Sequence, residues 1–253
     1  VLSKTFVKEM ATKLEQADIA KKYLSDLIKK TEIMHSSFQQ NDNVGRLITY
    51  FMLKQRHHAM SVIKLDPSMD MALIARTMIE GVMTLSWALE KPEERCGNWF
   101  KYSYVDDYKL LQKKKKSGIK VSLEDEERVI QNYNNYASEF LKKNSKRHHD
   151  NFRKGANLGN ILKDNTDLEY FYQHYKYFSD WAHWGSQSLD QVVNEGFNEL
   201  SYNESNHGYR YAALRVSFAS LLMIASKTNV YFELNQDEAL AYISNELIMA
   251  LEK

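Results

Sequence analysis

A chain of 253 residues with 43% apolar and 26% charged side chains has the composition of an ordinary globular protein, long enough to bury a sizeable core. Its formal net charge of +1 excludes a global attraction to nucleic acid or to an anionic membrane, so any basic patch must be local. One cysteine excludes an internal disulfide framework, and two prolines with nine glycines leave few chain breakers, which favours long helices over many short strands.

These totals predict an all-α fold: a single-domain bundle of about seven to eight helices spanning 1–253, with no sheet. The lone Cys96 fits a reducing compartment, and a cytoplasmic protein is expected. The chain opens on VLSKTFVKEM, with no initiator methionine and no apolar leader, which leaves room for residues upstream.

Residues 3–38 carry Val7, Met10, Leu14, Ala17, Leu24 and Ile28 at three- and four-residue steps, which predicts one long amphipathic helix. QQNDNVG at 39–45 ends it. A second helix follows near 44–64, with Leu47, Ile48, Phe51, Ala59, Val62 and Ile63 as its stripe. DPSMD at 66–70 reads as a helix start, with Asp66 or a neighbour capping and Pro67 in the first turn. The helix it opens, 71–89, is apolar all round except for Arg76 and Glu80. That length invites a test as a membrane span, but each mid-bilayer charge costs at least ~2.5 kcal/mol and two are present. We read it as a buried helix in the middle of a bundle, with no membrane contact.

KPEER starts the next helix with Pro92 in its first turn; Trp99, Phe100, Tyr104, Tyr108 and Leu111 follow before KKKK at 113–116. SLED at 122–125 reads as a capping box for a helix to about residue 147. The basic, glycine-bearing stretch 142–160 predicts a loop or short helix. TDLE at 166–169 is a second capping box, opening a tyrosine- and phenylalanine-rich helix to about 184. An asparagine-rich loop near 194–208 precedes two closing helices, about 209–232 and 236–252. There is no internal repeat and no domain linker.

Three stretches occur in a fixed order: ALIARTMIEGVMTLSWAL with its R-x-x-x-E, PEERCGNWFKYSYVDDYKLL, and YQHYKYFSDWAHWG with Y-x-x-x-S-x-x-x-H. Together they resemble the bacterial domain-of-unknown-function family fifty-six seventy-seven over roughly residues 45–192. The outer helices match it only as helices. The resemblance implies an all-helical cytoplasmic domain with no settled activity, and recurring polar positions at Arg76, Glu80, Ser179, His183 and Asp107. Where such proteins tend to show a tryptophan in the central basic loop, this chain has Phe152.

Arg76 and Glu80, four apart on one helix, are neighbours on one face and can pair. One reading is a structural ion pair joining helices. Desolvation makes buried pairs poor stabilisers, however, so a pair kept in the most apolar helix also points to a lined cavity, floored by Met83 and Trp87. Ser179 and His183 repeat the spacing on another helix, beside Tyr172 and Tyr175. A histidine near neutral pKa can act as general acid or base; the alternative is a core histidine satisfied by a backbone or tyrosine oxygen. No G-x-S-x-G elbow supports a serine nucleophile.

Glu32 with His35 and Asp180 with His183 are two carboxylate-x-x-His steps, with Glu80 on a third helix. They fall short of the paired E-x-x-H set of helical di-iron proteins, and no Cys/His zinc spacing occurs. RHH at 56–58 and RHHD at 147–150 read as solvated surface. We therefore expect no metal and no cofactor. The loop 142–154 carries Lys142, Lys143, Lys146, Arg147, Arg153 and Lys154, enough charge to contact RNA or a phosphate-bearing small molecule, with Phe152 and tyrosines available to stack. Its alternative is a solvated loop. No arginine is followed by a histidine at R-x(4–6)-H spacing, and neither a P-loop nor G-x-G-x-x-G is present.

The leading expectation is a metal-independent hydrolase or nuclease-like domain acting on RNA or a nucleotide. In it His183 is the general acid/base, Arg76 holds a phosphate and Glu80 orients Arg76, with Ser179, Tyr104 and Asp107 completing the pocket. Tyr175, Arg147, Arg153 and Lys154 are expected substrate contacts. The rival is a non-catalytic helical interaction module whose polar cluster fixes helix register; a di-metal helical oxidase stands third. Homo-oligomerisation is left open.

Overall fold

A computed structural model describes residues 4–32, 34, 42–156, 161, 168–183 and 207–252. Among them are eight α-helices: α1 Lys4–Glu32, α2 Asn43–Leu65, α3 Met71–Leu89, α4 Pro92–Lys116, α5 Leu123–Tyr136, α6 Glu169–Ala182, α7 His207–Phe232 and α8 Asp237–Leu251. Apart from one isolated antiparallel bridge between Leu141 and His148, the described residues hold no strand. The all-α expectation stands.

Local chemistry explains most boundaries. The Asp42 carboxylate caps α2 by accepting the Gly45 N–H at 2.7 Å, Pro92 opens α4, and the Ser122 hydroxyl accepts the Asp125 N–H at 3.1 Å to start α5. Three expected boundaries move. Helix α1 stops at Glu32 rather than 38: Met34 has left the helix and donates its N–H to the Thr31 carbonyl at 3.3 Å. Helix α5 stops at Tyr136 rather than near 147, because the chain tightens into a 3-10 turn, Ala137–Phe140, and then folds back through the Leu141–His148 bridge.

The third shift concerns Asp66 and Pro67, which stand outside α3. Asp66 instead closes α2, its N–H reaching the Val62 carbonyl at 3.1 Å, and its carboxylate is committed elsewhere. Thr166 and Asp167 of the second expected capping box lie outside the described residues; α6 itself begins at Glu169 and ends at Ala182.

Helix α3 is long and apolar enough to cross a membrane by length and composition. Here most of it is packed inside protein, against α2, α4, α6 and α7, with Met78, Ile79, Val82, Met83 and Leu85 fully buried. Helix α7 is the other hub, packed on α1, α2 and α3 through Leu214, Phe218, Leu221 and Ile224. Helix α5 differs: it buries no residue and rests on α4 through stacked Tyr108–Tyr133 and Tyr104–Tyr136 rings, 3.8 and 5.4 Å between centroids.

One ion cluster ties α1, α2 and α7 together. Arg210 of α7 grips the Asp66 carboxylate with two bonds, 2.5 and 2.9 Å, and reaches Asp18 of α1 at 2.6 Å; Lys21 adds a 2.7 Å bond to Asp66. The Asp66 side chain is 2% exposed and that of Arg210 9%. Burial alone would raise the Asp66 pKa, but the hydrogen bonds and charges of Arg210 and Lys21 outweigh it and hold the group below its ordinary 3.8.

A carboxyl depressed in the folded state stabilises above the unfolded pKa of about 3.9, and that stability is lost as pH falls through the folded value. Removing one partner of a buried pair costs roughly 3–5 kcal/mol. Urea unfolding at pH 7 should therefore show Asp66→Asn destabilised by that order, and below about pH 4 the unaltered protein should lose stability faster than the variant. Parallel acid profiles for the two proteins would contradict this account.

Candidate functional site

The site starts from a close approach of α2 and α3. Gln55 of α2 is 2% exposed, and its Nε2 donates to the Met78 carbonyl of α3 at 2.7 Å. A Cβ at Gly81 would stand 2.5 Å from that nitrogen, so any side chain there would force the buried amide to shift. Glycine costs a helix interior about 0.5–1 kcal/mol, and here the close contact accounts for it.

Beside this contact a cavity of about 200 Å³ opens between α2, α3 and α4. Tyr50, Phe51, Trp99 and Phe152 form its aromatic walls, while Gln55, His58, Thr77, Glu80 and Thr84 supply polar groups. Trp99 is the centre of the aromatic set, 5.2 Å from Tyr50 and 6.4 Å from Phe152 between ring centroids. Phe152 also packs on Trp87 at 5.8 Å, which pins the loop after the 3-10 turn against α3. The His58 imidazole is held below its ordinary 6.5 by burial first and by the Lys54 and His57 charges second, so it is neutral at pH 7.

A charged rim adjoins the cavity through Glu80. Arg76 pairs with Glu80 at 3.1 Å, donates to the Tyr175 hydroxyl and to Ser179 Oγ at 3.0 Å each, and lies 4.9 Å from the Tyr175 ring centroid. The Ser179 hydroxyl itself donates a hydrogen bond to the Tyr175 carbonyl at 2.6 Å. Its oxygen therefore positions Arg76 and is not poised as a nucleophile. Arg153 reaches in from the loop, donating to Thr84 Oγ1 at 3.5 Å and to the Ala156 carbonyl at 3.2 Å. Burial lowers the Arg153 pKa, and the nearby Glu80 and Tyr175 oxygens oppose that. Two guanidinium groups, Arg76 and Arg153, thus stand near the Glu80 carboxylate, which itself lines the cavity.

The structure gathers Arg76, Glu80, Tyr175, Ser179 and Arg153, and separates the rest. His183 follows the last residue of α6; it is exposed, and among the described residues its side chain makes no hydrogen bond or ion pair. Asp107 and Tyr104 line a different depression, between α4 and α5, where Tyr104 stacks on Tyr136. Arg147 is exposed, and Lys154 lies over the Phe140 ring at 5.1 Å. The loop folds back on itself, with Lys142 paired to Asp150 at 3.1 Å and the His149 carbonyl accepting from the Tyr102 hydroxyl at 2.6 Å.

His58 and Gln55 are the residues that sequence reasoning missed. RHH at 56–58 is not solvated throughout: Arg56 donates to the Ile28 carbonyl at 3.1 Å, and His58 lines the cavity. Gln55 lies on the apolar stripe of α2 between Phe51 and Ala59, and Gly81 interrupts the apolar run of α3; those two misfits were the available signal. Among the described residues no three His, Cys, Asp or Glu side chains gather as a metal site, and His35 lies outside them.

The Arg76 and Glu80 side chains are 20% and 35% exposed, and Arg76 has two further partners. Glu80→Ala therefore leaves a guanidinium that is still hydrogen-bonded and reached by water. Unfolding experiments should show a loss of no more than about 1 kcal/mol, against the roughly 3–5 kcal/mol of a sealed pair. A barely folded Glu80→Ala protein, rescued by methionine at both positions, would show the pair to be structural.

The sequence profile of the family of unknown function DUF5677 matches residues 52–199, which is more than half of the chain and takes in α3, α4, α5 and α6. No curated protein and no solved structure matches the chain. The matched segment contains both arginines of the rim, Glu80, His58 and Gln55. This chain belongs to the family of unknown function DUF5677.

Proposed function

We propose that the protein is a metal-independent hydrolase of nucleotide phosphoesters. The observation that carries this reading is the Glu80 carboxylate: it lines a cavity beside two guanidinium groups, Arg76 and Arg153. Arginine binds phosphate through a planar fork of donors, and two of them neutralise the charge that builds up as the phosphorus centre is attacked. Glu80 takes the proton of an attacking water, the water oxygen bonds to phosphorus, and the ester P–O bond breaks. The same carboxyl returns its proton to the leaving oxygen. Tyr175 and Ser179 hold Arg76 in place. In this reading Glu80 takes the general acid/base role that the sequence suggested for His183, and His58 is a neutral imidazole lining the cavity.

The interaction-module reading also has an observation behind it. Helix α5 buries nothing, and Leu110, Ile119 and Leu123 are exposed along the α4–α5 hairpin. Scattered apolar side chains are common on monomer surfaces. The rim at Arg76 is the more specific feature.

Purified protein in excess chelator, offered a panel of nucleotides, should release phosphate or nucleoside. Glu80→Gln, which keeps the shape and removes the base, should lower the rate by about 10²-fold or more. Equal rates for Glu80→Gln and the unaltered protein, or activity only with an added divalent metal, would overturn the proposal.

A further inference from the structure

Gln55 and His58 both line the cavity, and Gln55 Oε1 and His58 Nε2 are buried without a hydrogen-bond partner among the described residues. Both stand on α2 one turn apart. The amide orientation is fixed, because Nε2 must face the Met78 carbonyl at 2.7 Å, so Oε1 is an acceptor for something else. A buried acceptor left without a donor costs about 1–3 kcal/mol, which a ligand offering an N–H would recover. Around the pair stand the rings of Tyr50, Phe51, Trp99 and Phe152.

We propose that this cavity is a nucleobase compartment: Gln55 Oε1 and His58 Nε2 read the edge of one planar nitrogen heterocycle while the aromatic walls hold its faces. This rests on the reading of the site as a nucleotide pocket and adds what is selected within it. Size supports the assignment. At about 200 Å³ the cavity falls below the roughly 300–1,000 Å³ of sites that enclose drug-sized ligands, so it takes a ring system and not a whole nucleotide. The sugar and phosphate then lie outside, toward Arg76 and Arg153. A base supplies adjacent N–H and ring-nitrogen or carbonyl groups, the pattern that one acceptor beside one imidazole nitrogen can match. Sites built on such bonds reject ligands that lack them, because the protein groups are left unpaired.

The test compares the four nucleoside 5′-monophosphates, the free nucleosides and ribose 5-phosphate by calorimetry. At least one nucleoside monophosphate should bind about tenfold or more tightly than ribose 5-phosphate. His58→Phe keeps a ring and removes the polar atom; it should erase most of that advantage while leaving the ribose 5-phosphate affinity unchanged. Arg76→Met should weaken ribose 5-phosphate and the monophosphates alike, and circular dichroism confirms that each variant is folded. Ribose 5-phosphate binding as tightly as every nucleotide, a base preference untouched by His58→Phe, or no binding by any probe would overturn the compartment. Nucleosides bound with a base preference, but no nucleotide hydrolysed, would leave it standing and overturn the hydrolase instead.

Discussion

The site depends on one amide wedged between two helices. Gln55 enters the α2–α3 interface where Gly81 offers no side chain, and its nitrogen bonds the Met78 carbonyl while its oxygen is left buried without a partner among the described residues. That contact sets how closely α2 and α3 approach and in which register. Thr77, Glu80 and Thr84, three and four residues apart, share the face of α3 that meets Phe51, Gln55 and His58 of α2. A methyl group at 81 would force the amide to shift.

Two ion clusters of similar make-up serve different ends, and exposure separates them. Asp66 and Arg210 are sealed, at 2% and 9%, and hydrogen bonds satisfy both groups across three helices. Charges so placed hold helices in a specific arrangement and have no access to a ligand. Glu80 and Arg76, at 35% and 20%, are half-buried beside a cavity. There the dielectric is low enough for a charge to act strongly on a bound group, yet a group can still enter.

The basic loop 142–154 keeps Lys143, Lys146 and Arg147 exposed while polar and aromatic contacts hold its turn in place. Its turn is held by one contact within the loop, Lys142 on Asp150, and by two to the α4–α5 hairpin: the Tyr102 hydroxyl on the His149 carbonyl, and His148 Nε2 within 3.3 Å of the Tyr133 hydroxyl. One arginine, Arg153, is left facing the cleft, and it is held there because its neighbour Phe152 packs on Trp87 and Trp99. A phenylalanine at 152 fills this aromatic contact and anchors the loop.

The sequence alone determined the helices, since the 3.6-residue period, Pro92 and the Ser122 cap act over one or two turns through local hydrogen bonds and sterics. It also determined the pairing of Arg76 with Glu80, four residues apart on one helix. What it left open were choices made between helices. Arg210 finds Asp66 across 144 residues, Arg76 finds Ser179 across 103, and His58 turns from apparent surface to cavity wall once α3 packs over it. His183 shares the spacing of Ser179, yet one further turn carries it past the end of α6 and out of the cluster. The physical reason is range: periodicity fixes which face of a helix a residue occupies, but only packing decides what that face meets.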